Sequence, residues 1–301
     1  MSFNEQEARD ARGRWTAGTG GGEFIITEGE HTYTRWQSPG HPSISLDDAS
    51  KFEGARRYAL AVTDISKREG FDPGRINITD QEYQFVLNGE NHHAAGTADR
   101  MTGQIRLYME QLDPRSLNQV VTHEIMHQKF NAFLSDYEAE KREVQKLPST
   151  GNYATDPMKG DGTLRAPYDT QFPTYTKYVT LLEGTNSAKH DRMAQEDGCT
   201  PYSKDWWDAY KAGTASWDKP IHETLAEMAS LRSMPNSSPD AGPPTARRPT
   251  DKEIKDEAKT TNEWVKPRID ANSWLMSPKT SPDWSALYNA VNDNWFTKHA
   301  K

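Results

Sequence analysis

His123, Glu124 and His127 form the pattern H-E-x-x-H within the stretch 113–135. On a helix, two imidazoles four residues apart lie above one another on the same face, which suits the first two ligands of a tetrahedral zinc ion. Glu124 lies about 100° around the helix from His123, close enough to a metal-activated water to take its proton without being a ligand. The pattern therefore predicts a zinc site with Glu124 as the general base.

The residues around the motif favour a helix. Asp113 can cap it, and Pro114 suits its first position. Apolar residues recur in two stripes, one of Leu117, Val121 and Ile125 and one of Val120, Phe130 and Leu134 that includes both histidines. Two alternatives stay open, since H-E-x-x-H also occurs by chance and histidines on such a stripe are often satisfied core residues.

A catalytic zinc needs a third protein ligand, and sequences close to the motif do not supply it. The metzincin pattern would need glycine at Phe130 and histidine at Phe133, so that class is excluded. A close-following glutamate would be Glu138, Glu140 or Glu143. No turn signal separates these from His127, and a continuous helix would carry them about 16 Å or more away.

Glu223 is the better candidate for the third ligand. It lies in His222-Glu223-Thr224-Leu225-Ala226-Glu227, within a predicted helix at 219–234 and on the opposite side from Leu225. Glu227 is one turn further on and can accept a ring N–H from a ligating histidine. The alternatives are that Glu223 is a surface glutamate of an ordinary amphipathic helix, or that Glu183 is the ligand.

H-E-I-M-H followed by a distant H-E-T-L-A-E resembles the gluzincin metallopeptidases, in particular the distant-glutamate branch that includes the anthrax lethal factor catalytic domain. The resemblance implies an α+β zincin-like fold with a small mixed sheet, an active-site helix and a mainly helical second half. It implies zinc on His123, His127 and Glu223, with Glu124 as general base and Glu227 in the second shell. It also implies that residues 103–109 form the edge strand that binds an extended substrate.

One part of that pattern is missing. These enzymes usually carry a Tyr or His that stabilises the oxyanion, shortly before the glutamate helix. Here Ser216 and Trp217 stand at that spacing, with Tyr202 and Tyr210 further away. The oxyanion-stabilising residue is therefore left unassigned.

The predicted function is a zinc endopeptidase that acts on protein or peptide substrates. The alternative is a structural virion or interaction protein with a zinc-braced, catalytically idle zincin domain, and a toxin-type effector protease is a third possibility. Residues 9–16 resemble a basic-aromatic element at the ends of many tailed-phage virion proteins, which makes phage structural proteins candidate partners. Glu124 favours the enzyme, because a purely structural zinc has no use for it.

The composition limits the kinds of partner, site and cellular location that we expect for this chain. A net charge of −8 disfavours nucleic acid and anionic membranes as partners. The single cysteine, Cys199, excludes an intrachain disulfide and a thiol-rich zinc site. The first residues carry no apolar signal core and no apolar run reaches membrane-spanning length, so we expect a cytoplasmic or virion-associated protein without a signal peptide or transmembrane segment.

Changes of composition along the chain predict four segments. They are a flexible arm at 1–23, the metallopeptidase domain at 24–234, a proline-rich linker at 235–250 and a helical segment at 251–301. Helices are expected at 47–69, 176–184, 203–212, 219–234, 251–265 and 282–299. A strand or hairpin is expected at 75–88 and a half-buried strand at 103–109. Between these two, His92 and His93 are expected in a polar loop at 90–96. Adjacent loop histidines can bind metal but are more often simply solvated.

Overall fold

The computed structural model describes residues 22–28, 31–87, 89–114, 116–149, 151, 155–183, 193, 201–233 and 282–300. Among these, the chain divides into two compact units. The first contains the described residues up to Ile125 together with Arg232 and Ser233, and the second contains those from Met126 to Leu231 and from 282 to 300. The described part is α+β, as predicted, with a small mixed sheet followed by helices.

Eight strands lie in the first unit. They are β1 (Gly22–Glu28), β2 (His31–Gln37), β3 (Ser43–Leu46), β4 (Ile76–Thr79), β5 (Gln84–Leu87), β6 (Glu90–His93), β7 (Gly96–Ala98) and β8 (Ile105–Tyr108). Six of them form one sheet in the order β1-β2-β3-β4-β8-β7. The pairs β3/β4 and β4/β8 are parallel and the others antiparallel, while β5 and β6 form a separate hairpin. The mixed sheet predicted from the sequence is therefore present.

The parallel pair β3/β4 needs a crossover connection, and helix α1 (Phe52–Arg68) provides it. Its inward face repeats every three or four residues, as an amphipathic helix on a sheet requires, and consists of Ala55, Tyr58, Ala59, Val62 and Ile65. The Tyr58 hydroxyl donates to the Leu112 carbonyl at 3.0 Å, so this buried polar atom is satisfied. The expected helix at 47–69 is confirmed, with a 3₁₀ turn at Ala49–Lys51 before it.

Two expectations about the strands are wrong. The strand at 103–109 is β8, but it lies inside the sheet between β4 and β7, so the edge is β7. The polar loop expected at 90–96 instead forms β6 and the first residue of β7. Gly96 and Ala98 have low strand propensity, so β7 depends on its pairing with β8, which includes a contact of 3.0 Å between the Thr97 and Tyr108 hydroxyls.

Helix α2 (Leu117–Val144) carries the H-E-x-x-H motif and begins later than Asp113 and Pro114 suggest. The Asp113 carbonyl accepts from both the backbone N–H and the hydroxyl of Ser116, which closes a turn before the helix. The regular helical bonding starts with Val120 N–H donating to the Ser116 carbonyl. The helix then continues through the charged residues after 135, as expected.

After α2 the described elements are helical apart from one bridge between Met158 and Leu164. They are α3 (Tyr168–Gln171), α4 (Pro173–Tyr178) with a π-helical turn at Val179–Glu183, α5 (Pro201–Lys211), α6 (Asp218–Ser233) and α7 (Pro282–Lys298). The helices expected at 176–184, 203–212, 219–234 and 282–299 are thus confirmed with shifted ends. No helix within the described ranges is both long and apolar enough to cross a lipid bilayer.

Most of the predicted arm at 1–23, the linker at 235–250 and the helix at 251–265 fall outside the described residues, as does Cys199. Gly22 and Glu23, assigned to the arm, belong to β1. The four-segment division of the chain stays a prediction.

Helix α7 packs within the second unit through a stripe of large apolar residues. The stripe consists of Trp284, Leu287, Val291 and Trp295. The Trp284 indole N–H donates to the Met193 carbonyl at 3.1 Å, and its ring meets Trp207 edge-on at 6.2 Å. This indole therefore combines full burial with a satisfied donor, the arrangement that favours tryptophan in a core.

Replacing Trp284 by alanine is expected to lower the free energy of unfolding by about 3–5 kcal/mol, because it removes a fully buried indole and leaves a cavity. Denaturant unfolding followed by circular dichroism measures the change. The control is Phe296→Ala on the same helix, whose ring is 52% exposed and lies beside Lys129. We expect it to cost less than about 1 kcal/mol. Equal losses in the two variants would contradict this packing.

The last turn of α7 is also held by charge. The Asp136 carboxylate on α2 accepts from the Asn294 amide at 2.8 Å and lies 2.9 Å from His299 Nε2 and 3.6 Å from the Lys298 ammonium. Burial raises the pKa of Asp136, but the hydrogen bonds from Asn294 and His299 and the charge of Lys298 outweigh it. They hold that pKa below its ordinary value of 3.8.

A carboxyl group with a lowered pKa in the folded state stabilises the fold above its unfolded-state pKa, and this contribution is lost as the pH falls through the folded-state pKa. Asp136→Asn is therefore expected to lower the free energy of unfolding at about pH 7 and to cost less at about pH 3. Urea unfolding at both pH values tests this. Asp293→Asn, at an exposed position on α7, is the control that should show no such pH-dependent difference.

Candidate metal centre

Helix α2 positions both histidines of the motif. Leu117, Val121 and Ile125 are buried on its core stripe, which fixes the rotation of the helix about its axis. His123 and His127 then lie one turn apart on a neighbouring face and are both half-buried. The helix therefore supplies two imidazoles on one face, and both are partly exposed.

Helix α6 supplies the carboxylate. Glu223 is only 4% exposed, and its Oε2 lies 3.5 Å from His127 Nε2. Its neighbours Ile221, Leu225 and Ala226 are also buried, so this part of α6 is enclosed by packing. The alternative that Glu223 is an ordinary surface glutamate does not agree with this burial.

Hydrogen bonds within the first unit hold the C-terminal end of α6 to α2. The Asn118 amide donates to the Ser233 carbonyl at 2.6 Å, and the Thr122 hydroxyl lies 3.0 Å from the Ser233 hydroxyl. The Asn118 carbonyl oxygen in turn accepts from Arg68 of α1 at 2.5 Å. The C-terminal end of α6 is therefore tied to α2 by specific polar contacts.

His123, His127 and Glu223 each offer one ligand atom, and these atoms lie within 4.8 Å of one another. Two neutral imidazole nitrogens and one carboxylate oxygen are a donor set used by catalytic zinc, which leaves a fourth position open. The partial exposure of both histidines leaves a path for an ion to enter. In donor type, number and proximity, these residues fit a zinc ion.

His222, whose part in the motif the sequence left undefined, lies beside this group. Its ring centre is 5.7 Å from that of His127 and meets Phe130 edge-on at 4.5 Å. Burial, followed by the positive charge that His127 can carry, lowers the pKa of His222 to about 3. His222 is thus a neutral packing residue next to the ligands.

The side chain of Glu124 is directed to the sheet of the first unit. It is 6% exposed, and its Cγ and Oε1 lie 2.7 and 3.0 Å from the point where a Cβ on Gly96 of β7 would stand. Glu124 is a separate carboxylate from the ligand group of His123, His127 and Glu223. The sequence offered one signal for this neighbour, the run of small residues Ala94-Ala95-Gly96, which we interpreted as loop.

The other carboxylates considered as ligands have different surroundings. Glu138 is exposed, Glu140 accepts from the Tyr175 backbone N–H at 2.8 Å, and Glu143 pairs with Lys146 at 2.6 Å. Glu183 ends the π-helical turn, and its side chain lies outside what the structure describes. Glu227 is half-buried one turn after Glu223, and its second-shell role stays a prediction.

Three other residues considered as ligands or for the oxyanion role make contacts with other side chains. His92 stacks on Phe85 at 5.4 Å within the β5–β6 hairpin, and His93 Nδ1 lies 3.8 Å from Glu82. Tyr210, weighed for the oxyanion role, packs edge-on against Trp207 at 6.0 Å. The oxyanion-stabilising residue remains unassigned.

No family model, no curated protein and no solved structure matches this chain. The chemistry of the site is therefore argued from its own atoms. Those atoms are two imidazoles and a buried carboxylate grouped as zinc ligands would be, with a second buried carboxylate on the same helix as the imidazoles.

Glu223→Gln is expected to weaken zinc binding by on the order of 100-fold or more, because a neutral amide replaces an anionic ligand of nearly equal size. Competition with a chromophoric zinc chelator measures the affinity. Glu138→Gln, at an exposed position on α2, should leave the affinity unchanged. The assignment of Glu223 fails if its variant binds zinc as tightly as the Glu138 variant does.

Proposed function

We propose that this chain is a zinc-dependent endopeptidase with a zincin-like fold of the gluzincin type. The observation that carries the proposal is that ligand atoms of His123, His127 and the sequence-distant Glu223 lie within 4.8 Å of one another. Glu124, next to His123, supplies the one group that hydrolysis needs and a structural metal site does not.

A zinc ion bound by the two histidines and Glu223 would acidify water and polarise the carbonyl of the bond to be cleaved. Glu124 takes a proton from the attacking water and later delivers it to the leaving amine nitrogen.

The open edge of the sheet supports a peptide as the substrate. Ala95 accepts from Tyr108, and Asp99 donates to Gln104, so the odd-numbered positions of this segment bond to β8. In an antiparallel ladder the alternate residues, Gly96 and Ala98, direct their N–H and C=O groups away from β8. An extended peptide can pair with these groups as one more strand.

The partner and its location remain part of this proposal. The basic-aromatic element at residues 9–16 motivates tests on phage structural proteins, although it lies outside the described residues. The net charge of −8 favours proteins over nucleic acid as partners. Cytoplasmic or virion-associated action is the corresponding expectation.

Glu124→Gln is expected to lower turnover by about 10²–10⁴-fold, because the amide cannot accept the proton of water. Zinc binding should stay within about threefold of the wild-type affinity, since Glu124 is not among the three ligands. The measurement is N-terminal labelling after zinc-loaded protein is incubated with a bacterial lysate, with phage virion proteins and with itself.

New N-termini confined to the wild type support the endopeptidase. If both proteins bind zinc stoichiometrically and neither produces new termini from any of these samples, the structural alternative replaces it. In that case the metal braces the fold of a virion or interaction protein. Equal cleavage by wild type and variant would instead refute Glu124 as the base.

A further inference from the structure

Gly96 lies in β7 at the point where the Glu124 side chain meets the sheet. A Cβ at Gly96 would stand 2.7 Å from Glu124 Cγ, 3.0 Å from Oε1 and 3.1 Å from Cδ. Carbon atoms that are not bonded do not approach as closely as 2.7 Å. Any side chain at position 96 would therefore force Glu124 to move.

The backbone conformation at position 96 does not require a glycine. Gly96 is part of a strand, and its φ lies outside the left-handed region that favours glycine. In a strand interior, glycine weakens the strand and commonly marks a close approach by another group. Here the approaching group is the side chain of Glu124, whose Cγ, Cδ and Oε1 are the three atoms nearest to the position of that Cβ.

Gly96 is also one of the two residues of β7 whose backbone N–H and C=O point to the open edge. The Glu124 carboxylate is thus adjacent to a backbone unit that an added strand would pair with. Paired strands lie about 4.8 Å apart, so a peptide residue opposite Gly96 comes near the carboxylate. A general base must reach the proton that it takes, either directly or through one water molecule, so this proximity suits Glu124 to that role.

We propose that Gly96 is a positioning residue for Glu124. Its missing side chain lets the carboxylate lie against the sheet edge, next to the substrate residue that pairs with Gly96. The same contact sets the cleavage register, because it selects which peptide carbonyl faces the base. This inference rests on the proposed endopeptidase function, but the contact between Gly96 and Glu124 can be tested without activity.

The contact is tested by a double-mutant cycle on metal-free protein, with unfolding in urea as the readout. Gly96→Ala is expected to lower the folding equilibrium constant by on the order of tenfold when Glu124 is present. In a Glu124→Ala background, where the methyl group has room, the same change should alter the constant by less than about threefold. An equal effect in both backgrounds, or none in either, would overturn the proposal.

The role is tested by kinetics of zinc-loaded protein on a peptide substrate taken from the labelling experiment. Gly96→Ala is expected to lower kcat by about tenfold or more, with KM within about threefold and the zinc content unchanged, because the carboxylate is displaced while the ligands are not. Glu124→Asp already withdraws the carboxylate by one methylene. Adding Gly96→Ala to it should therefore cost less than about threefold further.

Gly160→Ala is the control for a generic effect of replacing glycine, since a Cβ there meets no atom within 4 Å. Both its kinetics and its stability should match the wild type. A loss of kcat that is fully additive with Glu124→Asp would refute the positioning role while leaving the endopeptidase intact. Coupling in the stability cycle without cleavage by any variant would refute the endopeptidase and the role that depends on it.

Discussion

The Glu223 carboxylate lies among buried side chains, and removing such a charge from water costs several kcal/mol unless other groups compensate. His127 Nε2 at 3.5 Å provides one compensating group, and the ammonium of Lys219 lies 3.9 Å from the other carboxylate oxygen. Lys219 is half-exposed and therefore contributes weakly. A divalent cation held by Glu223, His123 and His127 would add positive charge beside this buried carboxylate.

Helix α2 combines two kinds of environment along its length. Its Leu117, Val121 and Ile125 stripe packs in the core, and this packing determines where the polar residues between them point. As a result Glu124 meets the bare backbone of β7, whereas His127 meets Glu223 of α6. Residues of the same motif thus face different elements because they lie at different angles around the helix axis.

Much of this arrangement is accessible from the sequence, because it depends on local periodicity and on donor chemistry. The spacing of His123 and His127 defines their common face, and the apolar positions around Glu223 identify its helix. The tryptophans of α7 likewise repeat at helical spacing from Pro282 onward, and Trp284 and Trp295 are both buried. In these cases the pattern within one element already specifies which side is buried.

The features that the sequence did not predict depend on contacts between distant segments. Strand β7 is only three residues long, and two of them, Gly96 and Ala98, have little strand propensity, so it depends on its pairing with β8. The approach of Gly96 to Glu124 joins positions in two different elements, and no periodicity encodes it. The late start of α2 depends on a turn at Ser116 that competes with the capping role expected of Asp113.

The hydrogen bonds from Asn118 and Thr122 to Ser233 hold one end of α6, while Glu223 must meet the histidines at the other. Ser233 follows Glu223 by ten positions, which is about 15 Å of helix. Inserting a single residue between them would turn Glu223 by about 100° relative to Ser233. The segment from 224 to 232 therefore acts as a spacer of fixed length, in which residue types can change but residue number cannot.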